Sequence, residues 1–117
     1  MTAAFGSDKD RRGGSRQKVR VPVELVVDGS PPIRGATADL SVGGCYIETL
    51  FPYQVGTSLD MKLQLENTLL VAAWVVTCDP QVGNGIQFDR MLPEDREELE
   101  RYLQKLQQED ESEGAGI

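Results

Sequence analysis

Leu59, Met61, Leu63 and Leu65 alternate with Asp60, Lys62, Gln64 and Glu66, the cleanest period-two pattern in this 117-residue chain. That period puts the apolar side chains on one face of an extended strand and the polar ones on the other, a segregation that a helix over the same residues cannot achieve. The stretch therefore demands a sheet with one face on a core. Other segments comply. Val21, Val23, Leu25 and Val27 alternate with Pro22, Glu24 and Val26; Pro22 donates no ladder bond and belongs at an edge or open end. Ile33 to Ala38 and Cys45 to Thr49 read as a second and third strand around a turn at residues 39–44. Leu69 to Asp79 is nearly continuous in apolar residues and predicts a strand covered on both faces, with Trp74 as a core or helix-packing aromatic. Gly83-Asn84-Gly85 reads as a turn into a short final strand, Ile86 to Phe88.

From Pro93 the period changes to that of a helix. Leu92, Leu99, Tyr102, Leu103 and Leu106 form one stripe, Pro93 suits a first helical position, and Glu94 and Asp95 complement the positive end of the helix dipole. The helix is expected to end near Gln108, with residues 109–117 as an acidic, disordered tail. Six strands and one amphipathic helix give the fold class: all-β with a C-terminal helix, a six-stranded antiparallel barrel capped by that helix. The chain suffices for one such domain, at residues 16–108, preceded by a flexible basic arm at residues 1–15.

Several kinds of chemistry find no support. The chain has no histidine, and its two cysteines, Cys45 and Cys78, lie far apart in strand-like segments with no Cys-x-x-Cys spacing. They read as small buried apolar residues in a reducing compartment rather than as metal ligands or a disulfide. No nucleophile sits with a base, so an enzyme is not expected, nor is a cofactor. The longest apolar run, Leu69 to Val76, is too short to span a bilayer, and Met1 to Gly14 lacks the apolar run of a signal peptide, so the protein is expected to be cytoplasmic with no membrane insertion.

Charge is distributed unevenly. Residues 1–20 hold six basic side chains against two acidic ones, a local balance of +4, which leaves −11 for the remainder of a chain whose net charge is −7. An acidic body argues against binding a nucleic-acid polymer, whereas a small basic arm suits a compact anion.

Two short motifs give that arm its chemistry. Arg16-Gln17-Lys18-Val19-Arg20 places two guanidiniums four residues apart just before the first strand, and guanidinium forks match phosphates and the O6/N7 edge of guanine. Asp39-Leu40-Ser41-Val42-Gly43-Gly44 brings small, polar and permissive residues into the turn: Asp39 and Ser41 either bond nearby backbone or face a ligand, and Gly43 and Gly44 allow positive φ or close approach. Taken singly, the first is equally a solvated basic tail and the second an Asx-type turn. Together, in this order and inside a barrel pattern, they resemble the PilZ domain family, whose signature is Arg-x-x-x-Arg before the first strand and Asp/Asn-x-Ser-x-x-Gly between the second and third. The resemblance covers roughly residues 11–106.

It implies a receptor for cyclic di-GMP, the bacterial second messenger made of two guanylates closed into a ring. Arg16, Arg20, Asp39, Ser41 and Gly44 are then the ligand-binding positions, with Arg11, Arg12 and Gly43 auxiliary; Arg12-x-x-x-Arg16 is the competing frame. Ligand bridging the arm and the turn is expected to order residues 11–20 and create a surface for an unidentified downstream protein, in motility or another pathway. The family binds one ligand molecule or a stacked pair; Ser15, where a further guanidinium would help hold a second, favours one. Family members with decayed motifs act instead as adaptors for motility or pilus machinery, which is the alternative role.

Overall fold

The computed structural model describes residues 16–115, with side chains to Glu109. Among the described residues six strands, β1 (Pro22–Val26), β2 (Ile33–Leu40), β3 (Gly44–Glu48), β4 (Ser58–Gln64), β5 (Thr68–Asp79) and β6 (Gly83–Met91), precede one helix, α1 (Pro93–Ala115). All neighbours are antiparallel, and the sheet closes in the order β1-β2-β3-β6-β5-β4. Closure leaves no unpaired edge, which explains how an acidic, modestly apolar chain hides its ladder groups. The alternation in β4 is followed residue by residue: Leu59, Met61 and Leu63 are buried and Asp60, Lys62 and Gln64 exposed. Val23, Leu25, Leu69, Val71, Val75 and Ile86 complete the interior from the other strands.

Helix α1 closes one end of this interior. Leu99 and Leu103 enter the core, and Tyr102 and Leu106 pack beside it. The docking is aligned by polar contacts from the helix to the β4–β5 turn and the start of β5. Glu98 accepts hydrogen bonds from the Asn67 backbone N–H at 2.9 Å and from its side-chain amide at 2.8 Å, and Asp95 accepts from Leu70 N–H at 3.3 Å. Leu92, expected on the apolar stripe, precedes the helix and is 53% exposed.

Four local expectations are corrected. The outer face of β5 is open: Leu70, Trp74 and Val76 are exposed, because α1 caps the barrel end instead of lying along this strand. Trp74 is thus no core residue. Gly83-Asn84-Gly85 belongs to β6, and the turn lies at residues 80–82, with Gln81 at φ 64°. A side chain at Gly83 would overlap the Ile47 carbonyl, so this glycine serves close strand approach rather than reversal. Asn84 is buried and bonds the Tyr53 backbone twice, accepting from its N–H at 2.8 Å and donating to its C=O at 2.9 Å. Strand β2 extends through Asp39 and Leu40, which confines the β2–β3 turn to residues 41–43. Finally, α1 continues past Gln108 to Ala115, since Glu109 to Glu113 contains no helix breaker. Its last turn has no basic residue to offset the dipole.

Leu99 has no exposed surface, so Leu99→Ala should lower unfolding free energy by about 2–5 kcal/mol, whereas Leu92→Ala should change it by less than about 0.5 kcal/mol. Denaturant titration of the two variants measures the difference. The bonds from Asn67 hold the Glu98 carboxyl below its ordinary value of 4.5. A carboxyl lowered by folding stabilises fully above that value and loses its contribution as pH falls through the folded one. Wild type should therefore melt above Glu98→Gln at pH 7, and the gap should close as pH is taken below 4.5.

Candidate functional site

Residues 16–21 approach the barrel as an extended segment beside the end of β2. Gln17 forms an isolated antiparallel bridge with Leu40: Gln17 N–H donates to Leu40 C=O and Leu40 N–H to Gln17 C=O, each at 2.9 Å. Further along, the Thr37 hydroxyl donates to Val19 C=O at 2.6 Å and accepts from Val21 N–H at 2.9 Å, while Thr37 N–H donates to Val21 C=O at 2.9 Å. Extended geometry alternates the side chains. Arg16, Lys18 and Arg20 are exposed together, and Gln17 and Val19 are half-buried.

A register shift in the β2–β3 ladder between Thr37 and Asp39 sets the directions on the other side. In a regular strand two residues apart share a face, and here they do not. Thr37 and Leu40, three apart, are both buried, while Asp39 between them is only partly covered and turns outward. The extra residue thus re-aims the carboxylate. Asp39 Oδ1 lies 2.7 Å from Arg16 Nη1, an ion pair between side chains that are 29% and 54% exposed. The two motifs, 23 residues apart in sequence, meet at this contact.

Beneath the pair lies Cys45, opposite Leu40 in register and buried. Burial pushes its thiol far up, the Asp39 charge adds to the rise, and the Arg16 charge opposes it. Such a thiol stays protonated and inert. Cys78 is also free. Among the described residues no cluster of three or more His, Cys, Asp or Glu side chains is placed to hold a metal.

Of the two roles open to Ser41 in the sequence, the turn shows the bonding of nearby backbone. Ser41 is buried, its hydroxyl accepts from Gly43 N–H at 3.2 Å and donates to Gly44 C=O at 3.3 Å, and its N–H donates to the same carbonyl at 2.8 Å. The hydroxyl thus bonds the backbone of the turn on both sides. Gly44 is also a packing residue. A Cβ there would overlap the Ile86 carbonyl oxygen, because β6 runs close beside β3 with Gln87 opposite Gly44. Gly43, by contrast, is exposed and has open space where a side chain would stand, and neither glycine has positive φ. Arg20 is exposed with no ion pair among the described residues. Arg11 and Arg12 lie outside the described residues.

The candidate site therefore joins an outward carboxylate to one guanidinium, with a second guanidinium exposed on the same arginine segment and an exposed glycine in the following turn. Gln17 and Thr37 were not legible as parts of it, since one glutamine and one strand threonine carry no motif. Gly44→Ala should destabilise the fold by about 1–3 kcal/mol or more through backbone overlap, while Gly43→Ala should leave the melting temperature unchanged. Thermal melts of the two variants separate a packing glycine from an open one.

Comparison with known proteins places these observations in a family. The chain matches the PilZ domain over residues 10–105. Its fold is similar to that of the Bacillus subtilis inhibitor of motility MotI/DgrA, at 20% identity and a TM-score of 0.71 over 85% of this chain and 52% of that one. It is similar to Escherichia coli YcgR in complex with c-di-GMP, at 16% identity and a TM-score of 0.72 over 91% and 50%. The YcgR PilZ domain with c-di-GMP, also from Escherichia coli, gives 16% identity and a TM-score of 0.67 over 92% and 99%. This chain thus spans about half the length of MotI/DgrA and of the longer YcgR chain. Comparison with curated protein sequences gives no match. No helix among the described residues is long and apolar enough to cross a membrane. With the closed six-stranded barrel and the terminal helix in agreement with that match, this chain belongs to the PilZ domain family.

Proposed function

We propose that this protein is a receptor for cyclic di-GMP. The observation that carries the reading is the 2.7 Å contact between Arg16 and Asp39, which brings the arginine motif and the turn motif to one patch of surface. The ligand's chemistry matches that patch. Its two phosphates and the O6/N7 edges of its guanines accept from guanidinium forks at Arg16 and Arg20. A guanine presents its N1–H and exocyclic amine to a carboxylate, the role assigned to Asp39. Open space at Gly43 leaves room for a base or ribose against the turn. Ser41 and Gly44 contribute through the shape of the turn, and Arg11 and Arg12 remain auxiliary charges from the preceding segment.

The bound arrangement exchanges partners rather than adding to an empty surface. An exposed ion pair is worth about 0–1 kcal/mol, so a doubly charged ligand can take Arg16 from Asp39 at small loss and leave the carboxylate for guanine. The backbone of residues 16–21 is already tied to β2 by Gln17 and Thr37, so ligand-driven ordering of the whole span 11–20 is not the favoured signal. The signal we favour is the redistribution of charge and side chains around Arg16, read by a protein partner.

A second reading, an adaptor that binds no nucleotide, is favoured by one feature. Leu50, Phe51 and Val82 are all exposed, Phe51 at 86%, and the Thr49 N–H bond to Val82 C=O draws their two loops together at the barrel end away from the arginine motif. An apolar group of this kind marks a protein contact.

Calorimetric titration with cyclic di-GMP, with GTP and cyclic AMP as controls, decides between the readings. The receptor reading expects micromolar or tighter binding, selective for cyclic di-GMP, with one ligand per chain. Arg16→Ala and Arg20→Ala should each weaken it about ten- to a hundredfold, with the fold retained. A folded wild-type protein that binds none of the three would leave the adaptor reading in its place.

A further inference from the structure

Thr37 stands outside both motifs, yet it makes the closest hydrogen bond to the arginine segment. The residue is 1% exposed, and its single side-chain oxygen bonds two backbone groups: it donates to Val19 C=O at 2.6 Å and accepts from Val21 N–H at 2.9 Å. These two groups belong to the peptide units on either side of Arg20. The first unit, between Val19 and Arg20, sets one end of the Arg20 φ torsion; the second, between Arg20 and Val21, sets one end of its ψ torsion. Holding both planes to one oxygen restrains both torsions of the residue between them.

We infer that Thr37 is the positioning residue for Arg20, fixing the direction in which that guanidinium leaves the backbone toward the anionic ligand. The inference rests on the receptor reading and gives Thr37 a role toward one particular guanidinium, which that reading does not. The chemistry required is narrow. The group must donate and accept from one atom at this depth, which a hydroxyl does and neither a methyl nor a carboxylate does. A β-branched residue further restricts the rotamer that carries it. Arg16 has a separate anchor in the Gln17–Leu40 bridge and its own partner in Asp39, whereas Arg20 has no ion pair among the described residues. Its direction before binding therefore depends on the backbone that bears it.

Thr37→Val keeps shape and removes the hydroxyl; Thr37→Ser keeps the hydroxyl and removes a methyl. Titration with cyclic di-GMP, well below each melting temperature, should show Thr37→Val weakened by roughly three- to tenfold, the scale of freeing one long side chain, and Thr37→Ser close to wild type. In an Arg20→Ala background Thr37→Val should weaken binding no further. A purely structural threonine would lower the melting temperature and leave the affinity of the folded protein unchanged. Two results overturn the inference while the receptor reading stands: wild-type affinity in Thr37→Val, or an equal loss when Arg20 is already alanine. If Thr37→Val does not fold, Thr37→Ala takes its place in the same series. Absence of binding by the wild type overturns the receptor reading itself and the inference with it. The backbone effect has its own readout without ligand. The amide–Hα coupling of Arg20 in nuclear magnetic resonance should move toward an averaged value in Thr37→Val and not in Thr37→Ser, and an unchanged coupling would also overturn the inference.

Discussion

One extra residue in β2 decides where the site's side chains point. Without the register shift between Thr37 and Asp39, those two residues would share a face: either the threonine would leave the backbone of residues 19–21, or the aspartate would be driven toward the interior. With it, Thr37 is buried against the arginine segment, Leu40 stays in the core, and Asp39 faces outward to Arg16. A barrel cannot absorb such a shift locally unless its neighbours hold register. Here β3 is pinned to β6 by the close approach at Gly44, and β1 is pinned on both sides by β2 and β4. The irregularity is confined between two regular ladders, which lets it serve as an aiming device instead of a defect.

What was legible in the sequence follows from how local the signal is. Period-two alternation in β4 and the stripe through Leu99 and Leu103 are local statements about which face meets a core, and both are observed. The closed barrel with its terminal helix followed from them and from the family resemblance. The errors arise where one residue type serves two ends. Gly83 and Gly85 look like a turn because glycine permits reversal, yet Gly83 is there because another backbone passes too close for a side chain. The apolar run of β5 looks doubly covered, but the sequence does not say which side of a barrel a helix will occupy, and Trp74 remains 39% exposed.

The same ambiguity divides the turn motif. Asp39 is turned outward and Gly43 is exposed, whereas Ser41 bonds the turn's own backbone and Gly44 packs at the β3–β6 contact. A motif of this kind is part surface and part scaffold. Residue types alone do not separate the two roles, because a serine that caps a turn and a serine that meets a ligand are written alike. Thr37 is the reverse case, a residue with structural and positional weight and no sequence signature, because its importance arises only when residues 19 and 21 are brought to it in space.

The anchoring of residues 16–21 also changes how binding energy is distributed in the receptor reading. Fixing one residue's backbone opposes binding by about 1–2 kcal/mol, so a ligand that had to order the whole arginine segment would lose most of what two guanidinium contacts supply. A segment held in advance by Gln17 and Thr37 removes that loss. The consequence is that affinity and signalling draw on different elements. Under the proposal, affinity would depend on backbone geometry that exists before the ligand arrives, and signalling on what is free to change, which at this site is the partner of Arg16. In that reading Asp39 would do two jobs in sequence, first orienting the guanidinium by pairing with it and then releasing it for a ligand whose base it would accept. A carboxylate buried deeply enough to form a strong pair would fail at the second job, and one left wholly exposed would fail at the first. The partial exposure that the register shift confers on Asp39 is the compromise between them.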